Sequence, residues 1–151
     1  MMDGSFPDAA SPALMRTRAQ EGAVSATAML CALAGLSIVV HLPGMARYGF
    51  FRDELYYIAC SEHLAWGYVD QPPLIALIAW ISRHVLGNSL AAFRVLPILA
   101  GAVTVYLTGW LAGELGGSKL AQFVAALAIL FAPLYLAFDS ILTMNAFEPV
   151  F

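Results

Sequence analysis

Three carboxylates in residues 47–70 are the strongest candidates for chemistry in this chain. Asp53 and Glu54 are adjacent, and Asp70 follows in the same stretch, which holds six of the 17 charged residues and seven of the 18 aromatic ones. A carboxylate can act as a general base, and ionisable residues beside a membrane are functional candidates. The alternative for this stretch is an interfacial belt of aromatic side chains with solvated charges beside it.

Helix capping is the alternative for the two adjacent acids. They precede a predicted helix from Leu55 to Trp66 that Gly67 ends, so Asp53 would be the N-cap and Glu54 would lie in the first turn. Both roles can coexist, because a capping side chain is held rigidly and catalysis needs rigid placement. Successive helical residues point about 100° apart, so we do not expect the two acids to serve one atom equally.

The alternative for Asp70 is a turn residue before Gln71-Pro72-Pro73. The predicted 12-residue helix is about 18 Å long. The four residues from its end to Asp70 span at most about 14 Å, so they need not lead back to the start of the helix. The sequence therefore does not require direct contact between Asp53 and Asp70. A lipid head group or a metal ion would fill a gap between them.

The composition around these residues is that of a membrane protein. Of the 151 residues, 61% are hydrophobic and 11% are charged, and the mean hydropathy is +0.78. Soluble domains have about 45–50% apolar and about 25% charged residues, so a disordered chain and an ordinary soluble globule are excluded. The net charge of −3 provides no polybasic surface, and nucleic acid is not an expected partner.

Three runs without a charged residue have the length of membrane spans, at residues 23–42, 95–113 and 120–138. The polar residues 1–21 before them are interpreted as a flexible tail. A signal peptide is the alternative for the first run, but the apolar part of a signal peptide has about 7–15 residues, so we favour a retained span. The Gly-rich residues 114–119 predict a tight helical hairpin between the second and third runs.

A fourth, largely apolar run at Pro73–Leu86 is too short to cross a membrane. Because proline suits the first turn of a helix, Pro72-Pro73 predicts a helix start. We interpret this run as a helix that lies in the membrane interface or is re-entrant. The Lys and Arg residues on the two sides of the spans number three and four, which predicts no orientation.

Three segments of the chain together resemble the glycosyltransferase family 39 proteins. They are Tyr48–Tyr57 (YGFFRDELYY), Tyr68–Leu74 (YVDQPPL) and Ala92–Pro97 (AFRVLP). This family contains the bacterial relatives of the dolichyl-phosphate-mannose protein mannosyltransferases and of the aminoarabinose transferases of lipid A. The resemblance extends over residues 48–151, and the order of spans is similar.

The resemblance implies the glycosyltransferase C fold, an all-α polytopic membrane bundle. It implies about three transmembrane helices here, with interfacial helices in the first outer loop, residues 43–94. The protein would lie in the plasma or inner membrane, with residues 1–21 and 114–119 in the cytoplasm and the active loop outside. The implied reaction is inverting transfer of a hexosyl or pentosyl group from a polyprenyl-phosphate donor to an extracytoplasmic protein, lipid or glycan.

On this resemblance Asp53 matches the catalytic carboxylate, the general base on the acceptor hydroxyl, and Glu54 matches a second, supporting acid. Asp70, Gln71 and Arg94 match positions on the donor side. Asp70 is also a candidate ligand of a divalent metal, the one cofactor that the resemblance suggests. Gln71 departs from the lysine or histidine of many relatives, and its amide brings no charge to a phosphate. The alternative for Arg94 is snorkelling at the end of a span.

The segment after the third run matches the second outer loop of the family, which often brings another acid toward the site. Asp139, Asn145 and Glu148 are the candidates there, and a polar cluster at a helix end is the alternative. The resemblance also implies that residues 22–151 are the N-terminal part of a longer multi-pass domain, so we expect this fragment alone to be inactive. A non-catalytic membrane subunit or remnant, which binds lipid head groups or a partner, is the alternative function.

Overall fold

The structure, a computed structural model, describes residues 12–151, with side chains from residue 24 onward. The described part of the chain is helical and contains no strand. Its α-helices are α1 (Pro12–His41), α2 (Arg52–Glu62), α3 (Pro73–Ile81), α4 (Leu90–Glu114), α5 (Lys119–Phe131) and α6 (Pro133–Phe138). Short 3-10 turns lie at Leu42–Gly44, Met144–Ala146 and Glu148–Val150, and a π-helical turn extends α3 over Ser82–Leu86.

Helices α1, α4 and α5 pack together as the main bundle. Their shared core consists of five buried side chains: Leu30, Leu33, Val105, Ala126 and Leu130. Gly109 of α4 lies where the three helices meet, because a Cβ at this position would touch both Leu30 and Ala126. A small residue at such a point lets helix backbones approach closely, which is typical of helices that pack in lipid.

Among the residues that the structure describes, two helices are long and apolar enough to cross a membrane, over Val24–Gly44 and Leu90–Glu114. They cover residues 24–42 of the first predicted run and all of the second. Helix α1 begins at Pro12, so the part of the expected flexible tail from residue 12 onward is helical instead. The first 11 residues of that tail lie outside the described residues.

The third predicted span, residues 120–138, is not one continuous helix. Helix α5 has 13 residues, about 20 Å, which is less than the hydrocarbon core of a bilayer. It ends at Ala132, which has an extended backbone with φ −66° and ψ 123°, and α6 starts at Pro133. Proline has no N–H to donate and disfavours a helical residue before it. The run is therefore broken at Ala132, and its crossing of a membrane stays a prediction.

The helix predicted for Pro73–Leu86 is confirmed as α3 and its π-helical extension. A second core joins α2, α3 and α4 to the segment that follows α6, and it consists of Tyr57, Ile75, Ala79, Phe93 and Leu142. This core holds the segment predicted as the first outer loop, residues 43–94 and called the outer segment below, against the end of the bundle. This packing brings two of the candidate residues together, Glu54 of α2 and Arg94 of α4.

Candidate functional site

Glu54 and Arg94 form a buried ion pair at the centre of the outer segment. Glu54 is 0% exposed and Arg94 is 2% exposed. The pair is bidentate: Nε of Arg94 lies 3.2 Å from Oε1 of Glu54, and Nη2 lies 3.1 Å from Oε2. The carboxylate also accepts hydrogen bonds from the backbone N–H of Phe51 at 2.7 Å and of Leu142 at 3.1 Å. Bidentate geometry and complete hydrogen bonding are what a buried charge pair requires.

The remaining donors of Arg94 reach the backbone that follows α1. Nη1 donates to the carbonyls of Gly44 and Met45, each at 3.4 Å, and Nη2 donates to that of Gly49 at 3.0 Å. The ion pair thus connects the end of α1, α2, α4 and the segment after α6. The alternative that Arg94 snorkels at the end of a span is wrong, because its guanidinium is buried. Its N–H groups, which a donor phosphate would need, are bound to protein oxygens instead.

Asp53, in contrast, keeps an accessible carboxylate. The N-cap of α2 is Phe51 rather than Asp53, and the side chain that caps the helix is Glu54, through the N–H of Phe51. The expectation of Asp53 as N-cap is therefore corrected. Its side chain is 36% exposed and pairs with Nε of Arg52 at 3.2 Å, and Arg52 is itself 90% exposed. An exposed pair of this kind contributes about 0–1 kcal/mol and is readily exchanged for another partner.

Asp70 lies on an exposed part of the connection between α2 and α3, and it accepts a hydrogen bond from the hydroxyl of Tyr56 at 2.6 Å. This bond raises the pKa of the Tyr56 hydroxyl. The pKa of Tyr57 is raised as well, first by burial and then by repulsion from the carboxylate of Asp53, with a smaller effect of Asp70. Both acids therefore act on the same region of α2.

Sequence reasoning missed Tyr56. The available signal was its position three residues after Asp53, because residues three apart share a helix face. The contact to Asp70 has no local signal, since the two residues are 14 positions apart in the chain.

Gln71 turns inward, away from the neighbouring Asp70. It is 8% exposed, and its Nε2 donates to Sγ of Cys60 at 3.3 Å. Its Oε1 is buried without a hydrogen-bond partner in the described part of the protein. Nor do the described residues include a group of three or more His, Cys, Asp or Glu side chains that could hold a metal. The residues around Asp70 therefore do not fit a metal site built from protein ligands.

The three candidates of the second outer segment lie in different environments. Asp139 is 3% exposed and packs against Gly101 of α4, and burial raises the pKa of its carboxyl to about 7. Gly101 lies seven residues after Arg94, about two helical turns deeper in the bundle. Asn145 is half-buried and Glu148 is exposed. The hydrogen bond from the N–H of Leu142 to Glu54 joins this segment to the first one.

An apolar groove of about 460 Å³ opens beside the Asp70 segment. It is lined by Leu64, Ala65, Trp66, Pro73, Leu74 and Leu77. Trp66 is 99% exposed, so a large aromatic surface stands open at its edge. The groove lies between the residues that follow α2 and the first turns of α3, so it adjoins the connection that carries Asp70.

A second cavity, of about 340 Å³, lies between the end of α1, Arg94 and the residues Ser140 and Ile141. Phe51 also lines it, so it reaches the start of α2.

Comparison with family models, with curated proteins and with solved structures finds no match. The resemblance to glycosyltransferase family 39 therefore stays a prediction from the sequence.

Proposed function

We propose that this chain belongs to a membrane glycosyltransferase that uses a polyprenyl-phosphate sugar, with Asp53 as the general base. The observation that carries the proposal is the different environment of two adjacent acids. Glu54 is buried and fully hydrogen-bonded, whereas Asp53 keeps an accessible carboxylate on the same helical turn. A buried ion pair that holds the first turn of α2 fixes the place of its neighbour, and fixed placement is what a general base needs.

In the proposed reaction the carboxylate of Asp53 accepts the proton of an acceptor hydroxyl. The acceptor oxygen forms a bond to the anomeric carbon of the sugar from the face opposite the phosphate. The bond between that carbon and the phosphate oxygen breaks, and its electron pair leaves with the polyprenyl phosphate. The configuration at the anomeric carbon is inverted, and general-base assistance of this kind contributes about 10²–10⁴-fold to the rate.

Two features of the outer segment suit an amphiphilic donor. The apolar groove between the residues after α2 and the start of α3 can hold hydrocarbon. Arg52 is exposed beside the carboxylate of Asp53, where a cation can stabilise the charge that grows on the leaving phosphate. We propose no step through a metal ion, because the described acids do not form a metal site.

The proposed location is the plasma or inner membrane, with the outer segment on the extracytoplasmic side. Helices α1 and α4 would each cross the membrane, and α5 with α6 would form a third, broken crossing. Broken helices are tolerated at membrane depth where protein neighbours satisfy the freed carbonyls, and α5 packs on both α1 and α4.

The test is sugar transfer by membranes from strains that carry changes in the chromosomal gene. A panel of radiolabelled polyprenyl-phosphate sugars is supplied, and incorporation into protein, lipid and glycan fractions is measured. Asp53→Asn is expected to lower transfer about 10²-fold or more. Glu62→Gln, which changes an exposed acid on the same helix, is the matched control and should transfer as the wild type does.

Unchanged transfer by Asp53→Asn, at a protein level equal to the wild type, would show that Asp53 is not the base. If deletion of the gene abolishes no transfer with any donor of the panel, the enzyme proposal fails. That result would favour the non-catalytic membrane subunit.

A further inference from the structure

We infer that Tyr56 is a positioning residue of the proposed transferase, whose hydroxyl holds Asp70 beside the face of α2 that carries Asp53. This inference rests on the proposed function and deepens it, because it adds a residue that the motif reading does not assign. Its basis is the 2.6 Å hydrogen bond from Tyr56 to the carboxylate of Asp70. A hydroxyl bound to a carboxylate at 2.5–2.7 Å is a charge-assisted bond, roughly twice as strong as a neutral one.

The geometry of α2 puts Tyr56 in the right place for this role. Residues three apart are neighbours on a helix surface, so Asp53 and Tyr56 lie on the same side of α2. The rings of Tyr56 and Tyr57 are in contact, with centroids 5.8 Å apart. A carboxylate bound to the Tyr56 hydroxyl is therefore held over the face from which Asp53 projects.

The connection that carries Asp70 is fixed to α2 at two levels. Near the end of the helix, the hydroxyl of Tyr68 lies 3.1 Å from the carbonyl oxygen of Cys60 and 2.9 Å from that of His63, and its one proton can donate to either. Gln71 donates to Sγ of Cys60. One turn earlier on the helix, Tyr56 holds the carboxylate itself. The first level fixes the backbone of the connection, and only the second orients the charged group.

Asp70 retains a free oxygen in this arrangement. Among the described contacts its carboxylate accepts one side-chain hydrogen bond, through Oδ1, and the residue is exposed. The second oxygen can accept a hydrogen bond from a hydroxyl of the sugar on the donor. The ligand chemistry that fits is a polyol head group whose hydrocarbon chain lies in the adjoining apolar groove. Tyr56 would thus act on donor binding through Asp70, and it would not touch the reacting atoms.

The experiment compares Tyr56→Phe, Asp70→Asn and the double variant in the same membrane assay, with donor concentration varied. Tyr56→Phe keeps the ring and removes only the donor of the hydrogen bond. We expect it to raise the KM for the donor about tenfold, the effect of losing about one charge-assisted hydrogen bond, and to change kcat less than threefold. Tyr106→Phe, on α4 and away from the outer segment, is the control and should leave both constants unchanged.

The double variant separates positioning from two independent effects. If Tyr56 acts through Asp70, the double variant has the same KM as the single variant that binds the donor more weakly. The reason is that the two changes remove one interaction. Equal KM in Tyr56→Phe and wild type, multiplied effects in the double variant, or a loss confined to kcat would each overturn the inference. These outcomes are read only in a wild type that transfers sugar. If the wild type transfers no sugar, the proposed function fails and the inference fails with it. If the wild type transfers sugar but the Tyr56 and Asp70 variants behave otherwise than expected, the inference alone fails.

Discussion

Asp53 and Glu54 are neighbours in the chain, yet helical geometry turns them about 100° apart and gives them opposite environments. One carboxylate lies in the protein with four hydrogen-bond donors around it, and the other lies at the surface. A structural acid, Glu54, is thus encoded beside the acid that we propose as the general base. Glu54 stabilises the turn from which Asp53 projects.

The stability of the outer segment should depend on Glu54 far more than on other acids. Glu54→Gln leaves the charge of Arg94 buried without an opposite charge, which costs about 3–5 kcal/mol. Glu62→Gln is the matched control, since its ion pair with Arg83 is partly exposed and contributes about 0–1 kcal/mol. Thermal unfolding of the purified protein in detergent measures both. Equal losses in the two variants would contradict the assignment of Glu54 as the structural acid.

Asp139 makes stability depend on pH. Burial raises the pKa of its carboxyl from 3.8 to about 7, so the folded protein keeps the proton that the unfolded chain releases. The contribution of this group to the free energy of unfolding is fully present below pH 3.8 and is lost as the pH rises through about 7. Asp139→Asn is neutral at every pH.

The measurement for Asp139 is the melting temperature of wild type and Asp139→Asn between pH 5 and pH 8. Relative to the variant, the wild type should become less stable from pH 5 to about 7 and then stay level. Parallel curves for the two proteins would show that Asp139 is not the titrating group.

At the scale of elements, Gly109 sets how closely α4 approaches its two neighbours. A Cβ at this position would lie 3.1 Å from the carbonyl oxygen of Gln122 and 3.2 Å from Cβ of Ala126, and would collide with Leu30. Gly109→Ala should therefore destabilise the bundle by about 1–3 kcal/mol through overpacking.

Gly35→Ala is the control for this change, because Gly35 is an exposed helical glycine with no atom within 4 Å of an added Cβ. Alanine there should be neutral or stabilising by up to about 1 kcal/mol, from helix propensity alone. Both variants are compared by thermal unfolding in detergent. If Gly109→Ala has the same melting temperature as the wild type, the helices can move apart at no cost in stability, and the close approach at Gly109 is not required.

Hydropathy and proline placement predicted several elements from the sequence. The exact helix boundaries were not predicted, because they depend on local backbone and capping contacts. The runs in α1 and α4 and the short helix at Pro73–Leu86 follow directly from apolar length and Pro72-Pro73. The break at Ala132 could not be inferred from proline alone, because α4 continues through Pro97 whereas the helix stops before Pro133. Helix α2 begins at Arg52, earlier than predicted, because Glu54 reaches back to cap it and leaves Asp53 inside the first turn.

Whole-molecule topology provides a further prediction. In a background with Cys31→Ser and Cys60→Ser, the change Glu62→Cys should react with a membrane-impermeant maleimide in spheroplasts. Ser118→Cys, in the connection between α4 and α5, should react only after permeabilisation. The two positions lie at opposite ends of the bundle, because α4 runs between them. Labelling of both positions in sealed spheroplasts would contradict the proposed crossing by α4.

The candidate site was predictable as residue types and not as contacts. The acids at 53, 54 and 70 were evident from charge in an apolar chain. The roles of Arg94 and Tyr56 were not, since each acts through a partner 40 or 14 positions away. Burial also could not be inferred for Gln71 or Asp139, because a polar residue beside a proline or at a helix end is ordinarily solvated.

The Glu54–Arg94 ion pair also constrains how the protein is made. Glu54 is synthesised 40 residues before Arg94 and 88 residues before Leu142, and both give it hydrogen bonds. A carboxylate without these partners is too costly to bury, so Glu54 must stay hydrated until α4 and the segment after α6 have been made. Closure of the outer segment is therefore a late step of folding, and a nascent chain that ends before residue 142 would leave Glu54 without one of its hydrogen bonds.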